Sequence, residues 1–250
     1  MHDKPVALIT GANKGIGLQI AKDLAKRGLT VLVGSRDLAK GEVAAATVSP
    51  DAAAIQIDVT DAASIASAAD RIRDTYGRLD VLVNNAGIAS TAAPGTSFEE
   101  RLKQNVPSQA PMDYVRAIYE TNVFGLMAVT QAMLPLLRQA PAGRIVNMGS
   151  SSGSLTLNAD PHYAHRRVFG AAYSPSKTAV HAVTLAFAIE LEHSNIKVNT
   201  ACPGFTATDL NDFHGTRTVE QGAREAVRLA LLSKEGPTGT FSDEDGTVPW

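Results

Sequence analysis

The sequence predicts an α/β fold: a doubly wound parallel sheet of about seven strands with helices on both faces. Three observations predict it. Short aliphatic runs alternate with longer stretches of helical period, the pattern of βαβ units. The runs are continuously apolar, as strands buried on both faces are. A glycine-rich turn, "TGANKGIG" (10–17), joins the first run directly to the first helical stretch, where open α/β sheets carry ligand-binding loops.

The strand candidates follow in order: "VALIT" (6–10), "TVLVG" (30–34), "AAIQI" (53–57), "DVLVN" (80–84), "RIVNM" (144–148) and "IKVNTA" (196–201). Between the first two, Ile20, Leu24 and Ala25 share one helical face, and Gly28 is placed to cap the helix end. After the third strand, Asp61 precedes Ser64, Ile65, Ala68 and Ile72 and is a natural N-cap. A helix is predicted over 218–232, and another begins near Tyr173. Repeats, linkers and charge blocks are lacking, so residues 1–250 read as one domain. Three segments after strand ends are expected on the substrate side: 89–111, 151–172 and 205–217.

Composition narrows the function. With 250 residues, 44% hydrophobic, the chain can bury a sizeable core. A formal net charge of -2 offers no field for nucleic acid or an anionic membrane. The one cysteine, Cys202, excludes an intramolecular disulfide and reads as a small core residue. The opening "MHDKPVALIT" has too short an apolar run for a signal peptide, and no run approaches a membrane span. A cytoplasmic location is the expectation.

In the glycine-rich turn, Gly11 suits the tight bend, Gly15 lets the backbone approach a diphosphate, and Gly17 lets the helix pack on the strand. Asn13, Lys14 and Ile16 fill the intervening positions. The choice between NAD and NADP is read after the second strand, at "GSRD" (34–37). Arg36 there, with Lys14 nearby, favours the 2'-phosphate of NADP(H). Asp37 is the competing signal for NAD, but it stands where a helix N-cap belongs. Asp58 and Val59 can flank an adenine, or simply end a strand.

These motifs together resemble the short-chain dehydrogenase/reductase family. The resemblance rests on the glycine spacing, "NNAG" (84–87), "TN" (121–122), the serine after the fifth strand, a Tyr-x-x-x-Lys pair and "PG" (203–204), in order along nearly the whole chain. "TGANKGIG", "RD" and "DVLVNNAGIA" look closest to the NADPH-dependent carbonyl reductase branch. The resemblance implies a Rossmann-type sheet and reduction of a ketone or aldehyde, reversible as alcohol oxidation. It implies a catalytic tetrad of Asn122, Ser150, Tyr173 and Lys177. It makes Asn84, Ala86 and Gly87 a wall of the cofactor site. Pro203, Gly204, Phe205, Thr206 and Thr208 then meet the nicotinamide or diphosphate, and Asn122, Tyr173 and Lys177 also line the cofactor.

The chemistry agrees with that assignment. Carbonyl reduction needs a proton donor at the oxygen. Lys177, one helical turn after Tyr173, shares its face, and its ammonium is expected to lower the phenol's pKa from about 10. Ser150 would hold the substrate oxygen against Tyr173. Family members carry two serines here and use the second; in this chain the first is Gly149. The four-residue step from tyrosine to lysine also separates the chain from enoyl reductases, which have a longer one.

Compact members place the tyrosine about a dozen residues after the serine, whereas here the step is 23. The extra length, around "NADPHYAHRRVFG", is expected to loop beside the substrate pocket. His162 and His165 lack the partners of a metal site, and no metal is expected. Tyr163 is followed four residues on by Arg167, not lysine. Arg166 and Arg167 suit either an anionic substrate or a solvated face. With the long 89–111 segment, the insertion suggests an open site for aryl or bulky ketones. Two other functions fit the same motifs: a 3-oxoacyl carrier-protein reductase, and a non-catalytic NADP-binding sensor. The apolar helix after Tyr173 is compatible with a monomer or a homodimer.

Overall fold

The computed structural model describes residues 3–92, 96 and 98–250. Its sheet is built from β1 (Val6–Ile9), β2 (Thr30–Ser35), β3 (Ala53–Gln56), β4 (Val81–Asn84), β5 (Gly143–Met148), β6 (Ile196–Ala201), β7 (Phe241–Asp243) and β8 (Gly246–Thr247). The order across the sheet is β3-β2-β1-β4-β5-β6-β7-β8. Pairing is parallel throughout except between β7 and β8, which is antiparallel. The sheet thus has eight strands among the described residues, against the seven or so expected. The last two are short, and β7 meets β6 through only two residue pairs, Thr200 with Phe241 and Ala201 with Ser242.

Period-two alternation divides the strands between two cores. Val6, Leu8 and Leu32 face Ile65 and Ile72 of α3 (Ala62–Tyr76) and Met133 and Leu137 of α6 (Gly125–Leu137). Ala7, Ile9 and Val33 face Ile20 and Leu24 of α1 (Gly15–Ala25) and Ala223 and Val227 of α9 (Val219–Ala230). Each fully buried aliphatic side chain contributes about 1.5–3 kcal/mol, so the sheet centre is the rigid base from which the loops project.

Local capping works largely as the sequence predicts. Asp37 accepts from the Lys40 amide at the start of α2 (Leu38–Ala45), and Asp61 accepts from the Ala63 amide at the start of α3. The first helix ends earlier than expected, at Ala25, and Gly28 follows in a left-handed turn, φ 87°.

Two segments read as loops contain helices. Residues 89–111 hold α4 (Phe98–Gln104), while residues 93–95 and 97, with Pro94 among them, lie outside the described residues. After α5 (Met112–Tyr119), the 151–172 segment holds α7 (Leu155–Ala159), started by Ser154, whose hydroxyl accepts from the Leu157 amide. The two segments meet. The Asn105 carbonyl accepts from the Ala171 amide at 2.8 Å, and its side-chain oxygen accepts from the Ala172 amide at 3.1 Å. Both bonds tie down the residues just before α8 (Tyr173–Glu190). Arg101 of α4 forms an ion pair with Asp212 in the 205–217 loop. All three substrate-side segments are therefore fastened to one another.

β1 pairs with both β2 and β4, and the strand order reverses there. A crevice at the carboxyl ends of β1 and β4 follows from that reversal.

Candidate active site

The chain leaves β1 through the glycine-rich turn. Gly11 and Gly15 take φ of 63° and 57°, in the left-handed region that only glycine enters without strain. α1 then starts differently from α2 and α3. Its cap position is Lys14, whose side chain bonds no helix amide, and its first turn has no acidic residue. The positive helix end is thus left for an anion.

Facing it, the "NNAG" turn follows β4. Thr10 Oγ1 accepts from the amides of Asn85 and Ala86, and the Asn85 amide group donates to the carbonyls of Thr10 and Gly11 at 2.9 and 3.1 Å. Asn84 donates to Thr130 Oγ1 and to Asn147 Oδ1 on the neighbouring β5. A side chain at Gly17 has no room: its Cβ would stand 2.4 Å from Asn85 Nδ2 and 2.8 Å from the Gly11 carbonyl. Gly17→Ala is therefore expected to lower stability by about 1–3 kcal/mol and to weaken dinucleotide binding, read by thermal unfolding with and without a nicotinamide dinucleotide. An alanine variant with unchanged stability and binding would refute this packing.

The second half of the site gathers on α8. Asn122 sits in a π-helical turn, Glu120–Phe124, between α5 and α6; such turns aim side chains out of the regular helical register. It accepts from the Ile88 amide at 2.8 Å and donates to the Ile88 carbonyl and to Ser176 Oγ at 3.0 Å. Ser176 in turn donates to the Tyr173 carbonyl at 2.6 Å. Lys177 donates to the Met148 carbonyl at 2.7 Å, and its ammonium lies 5.7 Å from the centre of the Tyr173 ring. A Cβ on Gly87 would be 3.2 Å from Asn122 Oδ1 and 3.7 Å from Lys177 Nζ, so Asn122, Lys177 and the "NNAG" turn converge on one point.

Ser150 follows β5 by two residues, and its hydroxyl lies beside the Tyr173 phenol. Its hydroxyl lies 2.8 Å from that of Ser152 and accepts from the Ser152 amide. Burial pushes the Tyr173 phenol up to about 12, with the Cys202 thiol adding to the rise and the Ser150 hydroxyl opposing it. Burial also brings Lys177 down to about 8. Enclosure raises the Cys202 thiol as well, which suits its buried place and not a nucleophile. Asn122, Ser150, Tyr173 and Lys177 thus come together from three elements, with a phenol held protonated next to a hydroxyl. A profile described as short chain dehydrogenase matches residues 5–217.

The chain belongs to the short-chain dehydrogenase family. It is 32% identical to salutaridine reductase from Papaver somniferum over 292 residues, covering 95% of this chain and 93% of that one. It is 31% identical to carbonyl reductase (NADPH) 1 from Rattus norvegicus over 289 residues, covering 99% of each. The solved structure of the Papaver somniferum salutaridine reductase superposes with a TM-score of 0.80 at 31% identity, covering 95% of this chain and 99% of that one. As a short-chain dehydrogenase the chain is an oxidoreductase of the alcohol–carbonyl couple with a nicotinamide cofactor.

Within this short-chain dehydrogenase, one sequence expectation is reversed: Tyr173 is raised, not lowered. Lys177 commits its ammonium to the Met148 carbonyl and is itself drawn toward neutrality, so burial decides the phenol. Arg36 is exposed at the end of β2, and its charge helps hold Asp58 below the usual carboxylate range, after the bonds from Thr60. Lys14 forms an ion pair with Asp209, and Gly15 faces the Thr208 methyl, so the loop after β6 lies over the glycine turn. Thr206 is buried and donates to the Pro203 carbonyl, while Phe205 is exposed. Val59 is buried, next to Gly125. His162 and His165 are both exposed, and His165 meets the edge of the Tyr163 ring. Three residues escaped the sequence reading: Asn85, Ser152 and His181. Only His181 carried a usable signal, since it continues the Tyr173–Lys177 spacing by one more turn.

Among the described residues no helix is long and apolar enough to cross a membrane.

Proposed function

We propose that the chain is an NADPH-dependent carbonyl reductase in which Tyr173 is the proton donor. The carrying observation is a phenol kept protonated by burial, beside the Ser150 hydroxyl and one turn from Lys177. NADPH when bound would supply the hydride. The open, glycine-lined start of α1 fits its diphosphate, with Gly11, Asn13, Gly15, Ile16 and Gly17 around it. Ser150 Oγ holds the carbonyl oxygen, and Tyr173 delivers its proton there. Lys177 and Asn122 keep the tyrosine turn in place and supply the return path for that proton. In a reducing cytoplasm, NADPH would favour the reductive direction.

Three features support NADP(H). Asp37 is engaged as a helix cap and so is drawn away from a ribose. Arg36 is exposed at the strand end, and Lys14 stands on the glycine turn. Asp58, Val59, Ala86 and Gly87 would border the cofactor, as would Pro203, Gly204, Phe205, Thr206 and Thr208. Exposed Leu155 and Val168 in the 151–172 segment and Leu210 and Phe213 in the 205–217 segment suit an aryl or bulky apolar ketone.

The deciding experiment follows reduced-cofactor absorbance with a ketone panel. NADPH should be oxidised far faster than NADH. Arg36→Asp should shift the NADPH-to-NADH ratio of kcat/KM by about 10–100-fold toward NADH, the value of one lost charge-assisted contact. An unchanged ratio would remove the cofactor assignment. Binding of NADPH without turnover of any carbonyl would point to a sensor, and turnover confined to acyl thioesters to a 3-oxoacyl reductase.

A further inference from the structure

His181 stands on α8 one turn beyond Lys177, so Tyr173, Lys177 and His181 form a single column at four-residue spacing. It is 3% exposed. Its Nε2 accepts from the Ser150 amide at 3.4 Å, so the ring proton sits on Nδ1, which is buried without a hydrogen-bond partner. Phe241 of β7 lies against the ring at 4.1 Å between centroids, and Trp250 meets it at 5.7 Å.

Two features set this imidazole apart from ordinary core. The first is cost. A buried polar nitrogen left unpaired costs about 1–3 kcal/mol, and a leucine on this helix face would avoid it. The second is Gly149. A Cβ there would stand 2.7 Å from His181 Nε2 and 2.3 Å from Thr200 Cγ2. The place of the first serine in the family pattern is thus occupied by the histidine ring and the threonine methyl. The missing hydroxyl and the histidine are one structural fact.

The location explains what the ring accomplishes. The Gly149 amide still bonds across the sheet, to the Ala201 carbonyl. At Ser150 the β5–β6 ladder stops, and the chain turns into the 3-10 segment Ser151–Gly153. The Ser151 amide goes to the Cys202 sulfur at 3.3 Å. The Ser150 amide has the imidazole as its acceptor. That bond fixes the backbone from which the Ser150 hydroxyl is aimed at Tyr173. Phe241 and Trp250 hold the ring from behind, and the Trp250 carbonyl also accepts from the Thr156 amide.

We infer that His181 is a positioning residue for Ser150: it takes over the support of the catalytic hydroxyl and leaves no room for a side chain at Gly149. The inference rests on the carbonyl-reductase reading of the site. Its test uses the full chain with NADPH and the best ketone of the panel. His181→Phe keeps the ring and removes the acceptor; His181→Leu is a second apolar variant should the first fold poorly. Both are expected to lower kcat by about 10–100-fold, the cost of a misplaced catalytic group, with NADPH affinity unchanged by titration. His181→Gln, which returns an acceptor oxygen near Nε2, should recover kcat to within about threefold of wild type. In a Ser150→Ala background, His181→Phe should change kcat by less than about twofold, because the residue acts through the serine.

A merely structural histidine would lower thermal stability in every background and leave kcat per NADPH-binding site intact. That result overturns the inference, as does a glutamine variant that is folded yet as slow as phenylalanine, or an equal loss with and without Ser150. Wild-type protein that turns over no carbonyl overturns the functional reading and the inference with it.

Discussion

Tyr173→Phe is expected to lower kcat for ketone reduction by about 1,000-fold, within the range that positioned proton transfer contributes, and to leave NADPH affinity nearly unchanged. The substitution removes one oxygen from a ring held by α8 and leaves the Asn122–Ser176 link to the residue's own carbonyl untouched. With the phenol pushed up to about 12, the group is the acid form across the neutral range. Reduction needs that form, so the tyrosine itself adds no pH dependence to that rate from pH 6 to 9. Alcohol oxidation needs the phenolate, whose fraction rises tenfold per pH unit below the pKa, so its rate should climb over the same range. Steady-state rates in both directions, wild type against Tyr173→Phe, check this. Phenylalanine retaining more than a tenth of wild-type kcat would remove Tyr173 as the proton donor.

The same residues show where sequence reasoning reaches and where it stops. Six strands were legible because each is a short, largely aliphatic or β-branched run set between helical stretches. β7 was not: "FSD" carries two polar residues, and it exists because Phe241 fills the space between β6, His181 and Trp250. α4 was hidden among prolines and lacks a clear apolar stripe. Tyr173 and Lys177 were legible from helical spacing, which depends only on local geometry. The direction of the tyrosine shift was not, because it follows from burial among elements far apart in the chain, with Cys202 adding to it. Asn85 lies inside a recognised motif, yet its partners Thr10 and Gly11 are 75 and 74 residues away. Motifs single out candidate residues; the bonds that place them cross the sheet and are written in no single stretch.

Lys177→Met brings that distinction to a measurement. The variant should lose about 100–1,000-fold in kcat, since it removes both the group beside the phenol and part of the proton's return path. Its stability should nevertheless change little. A lysine drawn from its ordinary 10.5 down to about 8 by burial carries a penalty of roughly 3 kcal/mol while charged. Methionine removes that penalty but leaves the Met148 carbonyl without its donor, at about 1–3 kcal/mol. The two nearly cancel, so the unfolding midpoint at pH 7 should move by only a few degrees. The pH dependence separates this from coincidence. Between about pH 8 and 10 the unfolded lysine keeps a proton that the native one has lost, so this group makes the wild type more stable as pH rises. Below about pH 8 its penalty is constant. Tyr173 acts in the opposite sense, but only above about pH 10, where the unfolded phenol ionises before the native one. In Lys177→Met the rise between pH 8 and 10 should be absent, and the wild-type minus variant difference, taken by denaturant unfolding at each pH, isolates it. A difference that stays flat across that window would mean that Lys177 is charged in the folded protein at its ordinary pKa, and that its ammonium is free to act on the tyrosine after all.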